Sequence, residues 1–538
     1  MAKPKIPNQK KKYQELNGRL NRYVALVEQI YDTLNLEAAK AVSRTKYSPD
    51  SDKPFKWSDY PQTKKQIDDI QKHFVEDINA TIYRGTTEEW KNSNEAQDLI
   101  ANKVLKAYNA QVDKEKYKIL YQTNSDALKA FQNRKDKGFN ISAKLWQQSM
   151  IYKEELEAAI SCAIQKGTSA VTLSKQISKY LLDFPLLQKD YKDRYGSAEH
   201  IQDCEYRSIR LARSEINMAY RTAENERWKQ MDFVVGYEIK LSSSHHSRMP
   251  HGDICDTLAG KYPKDFTWTG WHPNDLCYKV PILKTEEEFW EWDGRSDVST
   301  ESINEVKDVP DEFKKWVLEN HQKIEKAQKR NTLPYFLRDN KSIVQNINTE
   351  NSAKELVNRA SLVGNEVQSL AESIAKKNKG FVTPINYKSI SSITRKVTTE
   401  GITPYDIKDA VRTTIIVPRS QIDQVLNELS ESDSFVRLKR QKPESFMGYS
   451  GNIVNIQTSN GLIAEIQVNT ERMIYAKEKP EDAKRILGEK RWKEIQKQTG
   501  MEGGLGHKYY EEWRVLDKAD KKAQKIAEKS IEYYSHFQ

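Results

Sequence analysis

The sequence predicts a multidomain protein. A mainly α N-terminal region is followed by a small α+β domain and then by a C-terminal α+β domain with a mixed sheet flanked by helices. Three observations carry this. The chain has 538 residues, enough for three or four domains. Apolar residues recur at near-helical spacing through most of the first 230 positions. Strand-like runs then appear in two separate places, near 232–283 and 380–470.

Composition permits cores and narrows the function classes. Hydrophobic residues make up 37% of the chain and charged residues 30%, but 11 Trp, 27 Tyr and 14 Phe supply large apolar bodies. The net charge of +10 suits polyanionic partners such as nucleotides, RNA or DNA. A mildly basic soluble protein would show the same balance. The four cysteines, Cys162, Cys204, Cys255 and Cys277, are too few for a disulfide framework and suit a reducing cytoplasm. The basic N-terminus has no apolar stretch behind it, so no secretory signal is expected. No apolar run approaches the ~18 residues of a membrane span, so no membrane partner is expected.

Residues 1–140 read as helices joined by polar loops. Leu20, Tyr23, Val24, Val27, Ile30, Tyr31 and Leu34 mark one helix. A Ser-, Asp- and Pro-rich loop is expected at 49–61, and helical periodicity resumes over 95–121. Residues 141–230 continue as helices, with a break at 167–169. Arg210, Arg213 and Glu215 are close enough in sequence to form an ionic cluster. A strand at FVVGYEIKLS, a loop rich in His, Asp, Gly and Trp, and a short strand at CYKVPIL complete the middle domain, taken as 141–290. His245, His246, His251, Cys255, His272 and Cys277 are candidate zinc ligands in that loop. Their spacing lacks the tight pairs of structural zinc motifs, so a loop braced by hydrogen bonds is the favoured expectation.

This order of features resembles the minor head proteins of tailed phages, the family of the phage Mu F protein. The resemblance covers about 140–285. It rests on Arg213-Ser214-Glu215, then Asp253-Ile254-Cys255-Asp256, then His272-Pro273-Asn274-Asp275-Leu276-Cys277. Asp275 stands where that family has its first cysteine after Asn. The resemblance implies a virion protein with portal or capsid partners. A highly charged segment, 291–343, is expected to link this domain to the last one.

The C-terminal domain, 344–538, opens with a helix stripe: Ala353, Leu356, Ala360, Val363, Val367, Leu370 and Ile374. Gly380 is its expected C-cap. Lys388, Ser392 and Lys396 recur every four residues, which would align them on one helix side suited to phosphates or, equally, to solvent. Asp409 and Arg412 stand where a polar loop enters a strand. A carboxylate there suits Mg²⁺, or an ion pair with a nearby base. Gly448-Tyr449-Ser450-Gly451 makes a close turn whose Tyr449 offers a flat face to a purine, or packs on the sheet edge. Asn460-Gly461 signals a hairpin. Beyond it, Ile463, Glu465 and Gln467 alternate with Leu462, Ala464, Ile466 and Val468, so the carboxylate and the amide share a face. A glycine turn then enters a helix carrying His507, Tyr510 and Glu511 on one side.

In this order the elements resemble the RelA/SpoT synthetase domain over about 345–515, in the wording of its toxin-type members. The resemblance implies a nucleotidyltransferase-like fold and an ATP:nucleotide 3′-pyrophosphokinase. It implies that Lys388, Ser392, Lys396 and Arg412 grip the phosphates of the donor ATP. It implies that Asp409 and Glu465 hold Mg²⁺, with Glu465 also the base, and that Tyr449 stacks the acceptor. Gln467, Thr470, His507 and Tyr510 complete its motifs. Asn386 stands where the family has an Arg, and Asn452 lies near the position of its usual histidine. The acceptor is therefore GDP or GTP, an adenine nucleotide, or the tRNA 3′ end. The two resemblances together imply a phage or prophage head protein carrying a toxin, present in the head interior and then the bacterial cytoplasm, with an immunity protein as a further partner. The alternatives are a purely structural head protein with an inactive C-terminal domain, and a DNA-binding head protein.

Overall fold

The computed structural model describes residues 4–45, 53–110, 112–163, 170–292, 302–441, 446–517 and 520–538. The expected break at 167–169, the start of the 49–61 loop and the first part of the charged segment, 293–301, lie outside the described residues. The chain divides into two compact units, Met1–Lys341 and Ser342–Gln538. Among the described residues no helix is long and apolar enough to cross a membrane.

The first unit begins with α1 (Gln9–Ser43), whose Asn8 side chain caps it by accepting from Lys11 N. Tyr13, Leu16, Leu20, Tyr23, Val27, Tyr31 and Leu34 form its buried stripe. The next helix, α2 (Pro61–Ala107), is far longer than the expected 95–121 element. Proline sits in its first turn, where no donor is lost, and Ile67, Phe74, Ile78, Ile82 and Trp90 extend its buried face forward. It stops at Ala107, and Lys118–Tyr121 is a separate 3-10 turn. Then come α3 (Ser125–Asn133), α4 (Ile141–Ala163), α5 (Ala170–Leu182), α6 (Phe184–Tyr195) and α7 (Cys204–Gln230). One core runs from Val27 through Leu156 to Ala212, so α1, α2 and α4 to α7 share it.

The expected ionic cluster of Arg210, Arg213 and Glu215 does not bring Arg213 and Glu215 together. Two residues apart, they leave α7 in different directions. Arg213 donates to Asn17 and Asn21 on α1, at 3.0 and 2.7 Å. Glu215 is buried and meets Arg134 at 2.5 Å and Lys144 at 3.4 Å.

After α7 the chain forms β1 (Val234–Lys240), two short helices, α8 (His245–Arg248) and α9 (Ile254–Leu258), then β2 (Gly260–Tyr262) and β3 (Tyr278–Leu283). The sheet order is β2-β1-β3, all antiparallel. A fully buried ion pair ties β3 to α7: Lys279 Nζ lies 3.2 Å from Glu224 Oε2, and Tyr13 donates to the same oxygen at 2.6 Å. Asp275 is also buried and accepts from the backbone N–H groups of Trp271 and Cys277 at 2.7 Å, so it braces the turn before β3. Helices α10 (Glu286–Trp292), α11 (Asp311–Glu319), α12 (His321–Lys329) and α13 (Tyr335–Arg338) follow. Few aliphatics occur here, but Phe313 packs edge-on to Phe266 at 5.3 Å and Phe336 to Trp271 at 5.1 Å. Aromatic rings hold the charged stretch onto the unit.

The second unit starts in α14 (Lys341–Lys377). Its stripe is buried as expected, except that Ala371 takes the innermost place beside a partly buried Leu370. Gly380 is not the residue that turns the chain. Lys379 adopts φ 55, and Gly380 N–H donates back to Ala375 O at 2.9 Å. Glycine is needed at 380 because a Cβ would lie 2.4 Å from Ile416 O. The remaining elements are β4 (Phe381–Val382), β5 (Asn386–Tyr387), α15 (Ile390–Glu400), β6 (Val411–Ile416), α16 (Ile422–Ser430), β7 (Phe435–Arg440), β8 (Asn452–Gln457), β9 (Ile463–Asn469) and α17 (Glu471–Lys477). They end with α18 (Pro480–Leu487), α19 (Glu489–Thr499), α20 (Leu505–Arg514) and α21 (Lys521–Ser535).

The sheet order is β4-β6-β9-β8-β7, with β5 also paired to β6. β6 and β9 are parallel, and the other pairs are antiparallel, which makes the sheet mixed. Val411, Ile415, Val454, Ile456, Ala464, Ile466 and Val468 face a core shared with α14 and α16. The opposite face carries the polar residues of the candidate site.

Candidate active site

The strand register decides which side chains meet. In the parallel pair, Arg412 lies opposite Glu465 and Thr414 opposite Gln467. Across the next pair, Glu465 faces Asn455 and Gln467 faces Ile453. The outer strand adds Arg437 opposite Asn455 and Lys439 opposite Ile453. Asn386 completes the row on the other side, opposite Arg412. One transverse row therefore reads Asn386, Arg412, Glu465, Asn455, Arg437. All of it lies on the face away from the apolar core, because side chains alternate along each strand.

Glu465 is half-buried and accepts from Gln467 Nε2 at 2.7 Å. Gln467 uses its other end to accept from Lys477 Nζ at 3.0 Å. Lys477 also pairs with Glu478 at 3.0 Å and stands 5.5 Å over the Tyr449 ring. Burial opposes ionisation of Glu478, but Lys477, with Arg412 and His507 farther off, outweighs it and holds the carboxyl below its usual value. Burial likewise opposes the charge on Lys477, and Tyr449 and Glu478 reverse the balance and push its ammonium up. Glu465, Gln467, Lys477, Glu478 and Tyr449 thus form one continuous polar chain.

Asp409 sits in the loop just before β6. Lys388 and Lys396 both pair with it, the latter at 3.4 Å. Burial alone would raise the Asp409 carboxyl, but the two lysines hold it below the usual carboxylate value. The helical alignment of Lys388, Ser392 and Lys396 is not found as expected. Ser389 is the N-cap of α15 and accepts from Ser392 N, so Lys388 precedes the helix. A side chain that satisfies the first turn stops the helix there. The two lysines converge all the same, because Asp409 draws them together.

Tyr449 is partly buried. Its ring packs against Tyr534 at 5.8 Å between centroids, and its hydroxyl accepts from Asn469 Nδ2 at 2.8 Å. Gly451 makes this possible: a Cβ there would lie 2.1 Å from the Tyr449 hydroxyl oxygen. Asn452, next in line, is buried in β8. Thr470 caps α17 by accepting from Met473 N at 3.2 Å.

Two predicted residues stand apart. Ser392 is half-buried and takes a hydrogen bond from the Ser389 hydroxyl at 2.9 Å. Tyr510 is 44% exposed and stacks on Trp513 at 6.4 Å. Among the described residues no contact links either to Asp409 or Glu465.

Arg437, Lys439, Asn455, Lys477 and Glu478 escaped the sequence reading. The alternation in Phe435-Val436-Arg437-Leu438-Lys439 could have revealed the first two as one face of a strand. Nothing in the local sequence marks Lys477 or Glu478, which reach the site from the end of α17. A separate cavity of about 640 Å³, lined by Lys379, Arg419, Asn469, Thr470 and Arg472 among others, lies at the carboxyl ends of β6 and β9. Asn469 touches both it and Tyr449.

No protein-family model matches the chain. The chain is 38% identical over 170 residues to "(p)ppApp synthetase toxin Tas1" of Pseudomonas aeruginosa (strain UCBPP-PA14). That match covers 31% of this chain and 38% of the relative, so the chain spans well under half of the relative's length. It also resembles the Tas1 chain in the crystal structure of the complex between that Type VI effector and its immunity protein, at 35% identity and a TM-score of 0.33, covering 35% of this chain and 96% of that one. The small alarmone synthetase 1 of Bacillus subtilis shares 16% identity and a TM-score of 0.21, covering 34% of this chain and 92% of that one. At these TM-scores the two superpositions carry no argument. The sequence likeness supports a RelA/SpoT-like synthetase domain of the toxin type within this chain.

Proposed function

We propose that residues 342–538 are a pyrophosphokinase toxin that transfers the β,γ-pyrophosphate of ATP to the ribose 3′-hydroxyl of a nucleotide. The observation that carries this reading is the parallel register that sets Arg412 beside Glu465 on a polar sheet face. The likeness to a synthetase toxin supports it.

In the reaction the 3′-oxygen of the acceptor attacks the β-phosphorus of ATP. The bond from that phosphorus to the α,β-bridging oxygen breaks, and AMP leaves. Such transfers need positioning and charge neutralisation more than covalent help. Glu465 takes the hydroxyl proton. Its hydrogen bond from Gln467 fixes the carboxylate's orientation. Lys388, Lys396 and Arg412 neutralise the triphosphate, and Ser392 adds a hydroxyl at the exposed start of α15. Asp409 and Glu465 offer the hard oxygens that Mg²⁺ takes beside substrate phosphates, and the ion would supply further charge neutralisation there. Tyr449 stacks the acceptor base, with His507 and Tyr510 on the neighbouring helix. The relative's name favours an adenine nucleotide as acceptor.

The first unit is the delivery part: a Mu F-like minor head protein with portal or capsid partners, carried in the virion head and released with its toxin into the bacterial cytoplasm. An immunity protein is a further partner, as in the complex of the Type VI effector. The test is to incubate the full chain with ATP labelled in its γ-phosphate and, separately, ADP or ATP, GDP or GTP, and tRNA. Label on an adenine nucleotide is expected. No labelled product on any acceptor, from a folded chain, would sink this reading and leave a structural or a DNA-binding head protein.

A further inference from the structure

Lone pairs converge in the loop between β1 and β3. His245 on α8, Cys255 on α9 and Cys277 before β3 come from three separate stretches of chain. All three are buried, and their ligand atoms lie within 4.8 Å of one another. His272 joins from the loop that follows β2, with Nε2 3.2 Å from Cys255 Sγ. Asp253, Cys255 and His272 form a second such group around the same thiol.

The hydrogen bonds fix which nitrogens are free. His272 Nδ1 lies 2.8 Å from Pro273 O, and a carbonyl can only accept, so Nδ1 carries the proton. Nε2 is then the nitrogen left to bind a metal, and it lies 3.2 Å from Cys255 Sγ and 3.2 Å from Asp253 Oδ2. His245 Nε2 is 2.8 Å from Asp256 Oδ2, which likewise assigns its proton and leaves Nδ1 as the ligating nitrogen. A ligand histidine whose other nitrogen is held by a carboxylate or a carbonyl is the usual outer arrangement of a zinc site. Asp256 is itself held, accepting from Asp253 N at 2.7 Å. Cys255 and Cys277 are free cysteines, not a disulfide.

We propose that His245, Cys255, His272 and Cys277 bind one zinc ion that pins this loop to the three-stranded sheet. His272 meets the other three through Cys255, and its ring closing on the ion would complete two sulfur and two nitrogen donors, a closed tetrahedral set that is the chemistry of a structural site and leaves no position for substrate. Two thiolates cancel the charge of the dication. Asp275 stands where a third thiol would fall in the motif and is occupied with two backbone N–H groups. It shapes the turn that presents Cys277 and takes no part in the donor set. The spacing hid the site because the ligands pair in space and not along the chain.

The test uses the full chain, purified reduced without chelator, with metal measured by plasma mass spectrometry. About one zinc per chain is expected. Cys255→Ser and Cys277→Ser are expected to lose it, and His246→Ala and His251→Ala to keep it. The cysteine variants could unfold, so Asp256→Asn gives a second reading. It keeps all four ligands and is expected to weaken zinc about 10- to 100-fold in competition with a chromophoric chelator. Cobalt(II) in place of zinc should show thiolate-to-metal absorption. A reduced wild-type chain that takes up no zinc from a zinc-buffered solution would overturn the proposal. So would zinc retained in full by both cysteine variants, or a Cys255–Cys277 disulfide that forms in the purified chain and leaves no zinc bound after reduction.

Discussion

Arg412 and Glu465 lie directly across from each other in the parallel β6–β9 pair, a cation beside a carboxylate on the sheet's polar face. Arg412 also contributes to the field that keeps Glu478 ionised. The strand pairing, not local sequence, assembles this group of charges, and the expected effects of substitution follow from it.

Glu465→Gln keeps the shape of the side chain but removes the base. Its partners Gln467 and Arg412 stay in place, so the fold should hold. Pyrophosphate transfer is expected to fall about 100- to 10,000-fold. Labelled-product formation measures the loss, and relief of growth arrest on expression in bacteria reports the same change. Full transfer by a folded variant would refute the role given to Glu465.

Gly451→Ala probes the Tyr449 turn. The new Cβ would lie 2.1 Å from the Tyr449 hydroxyl oxygen, so the ring must leave its place against Tyr534. A displaced stacking group should raise the acceptor KM by up to about 100-fold with less change for ATP. Steady-state kinetics with each substrate varied in turn separates the two.

Glu155 makes the stability of the first unit depend on pH. Burial pushes its carboxyl up to about 8, although Cys204 N–H donates to Oε2 at 3.2 Å. The folded state therefore holds a proton that the unfolded chain releases near the ordinary value of 4.5. This contribution is fully present below that value and is lost as pH rises through about 8. Glu155→Gln keeps an acceptor for Cys204 N–H and cannot ionise. Thermal unfolding followed from about pH 5 to about pH 9 should show a smaller fall in Tm for the variant than for the wild type.

Lys279→Met tests the buried pair with Glu224. Removing the ammonium leaves a carboxylate without its counter-charge where both side chains are fully buried. A loss of about 3–5 kcal/mol is expected in chemical denaturation. Adding Glu224→Leu should recover much of it, because the penalty comes from the stranded charge. No recovery would place the cost in lost packing around Trp228, over whose ring Lys279 Nζ sits at 4.7 Å.

The sequence by itself determined the elements whose signals are local. The α1 and α14 stripes, the Asn460-Gly461 hairpin and the alternation around Glu465 were legible because a helix or strand repeats its burial every few residues. The same alternation put Glu465 and Gln467 on one face before any partner was known. Pairing at a distance was not legible. Only the tertiary structure set Arg412 opposite Glu465, brought Lys388 and Lys396 onto Asp409 from different elements, and carried Lys477 and Glu478 to Tyr449. It also separated Arg213 from Glu215 and gathered His245, Cys255 and Cys277. The physical reason is the same in each case. Local periodicity records which face of an element is buried, while the identity of a charge's or thiol's neighbour depends on strand register and on loops closed across many residues, which no short window of sequence contains.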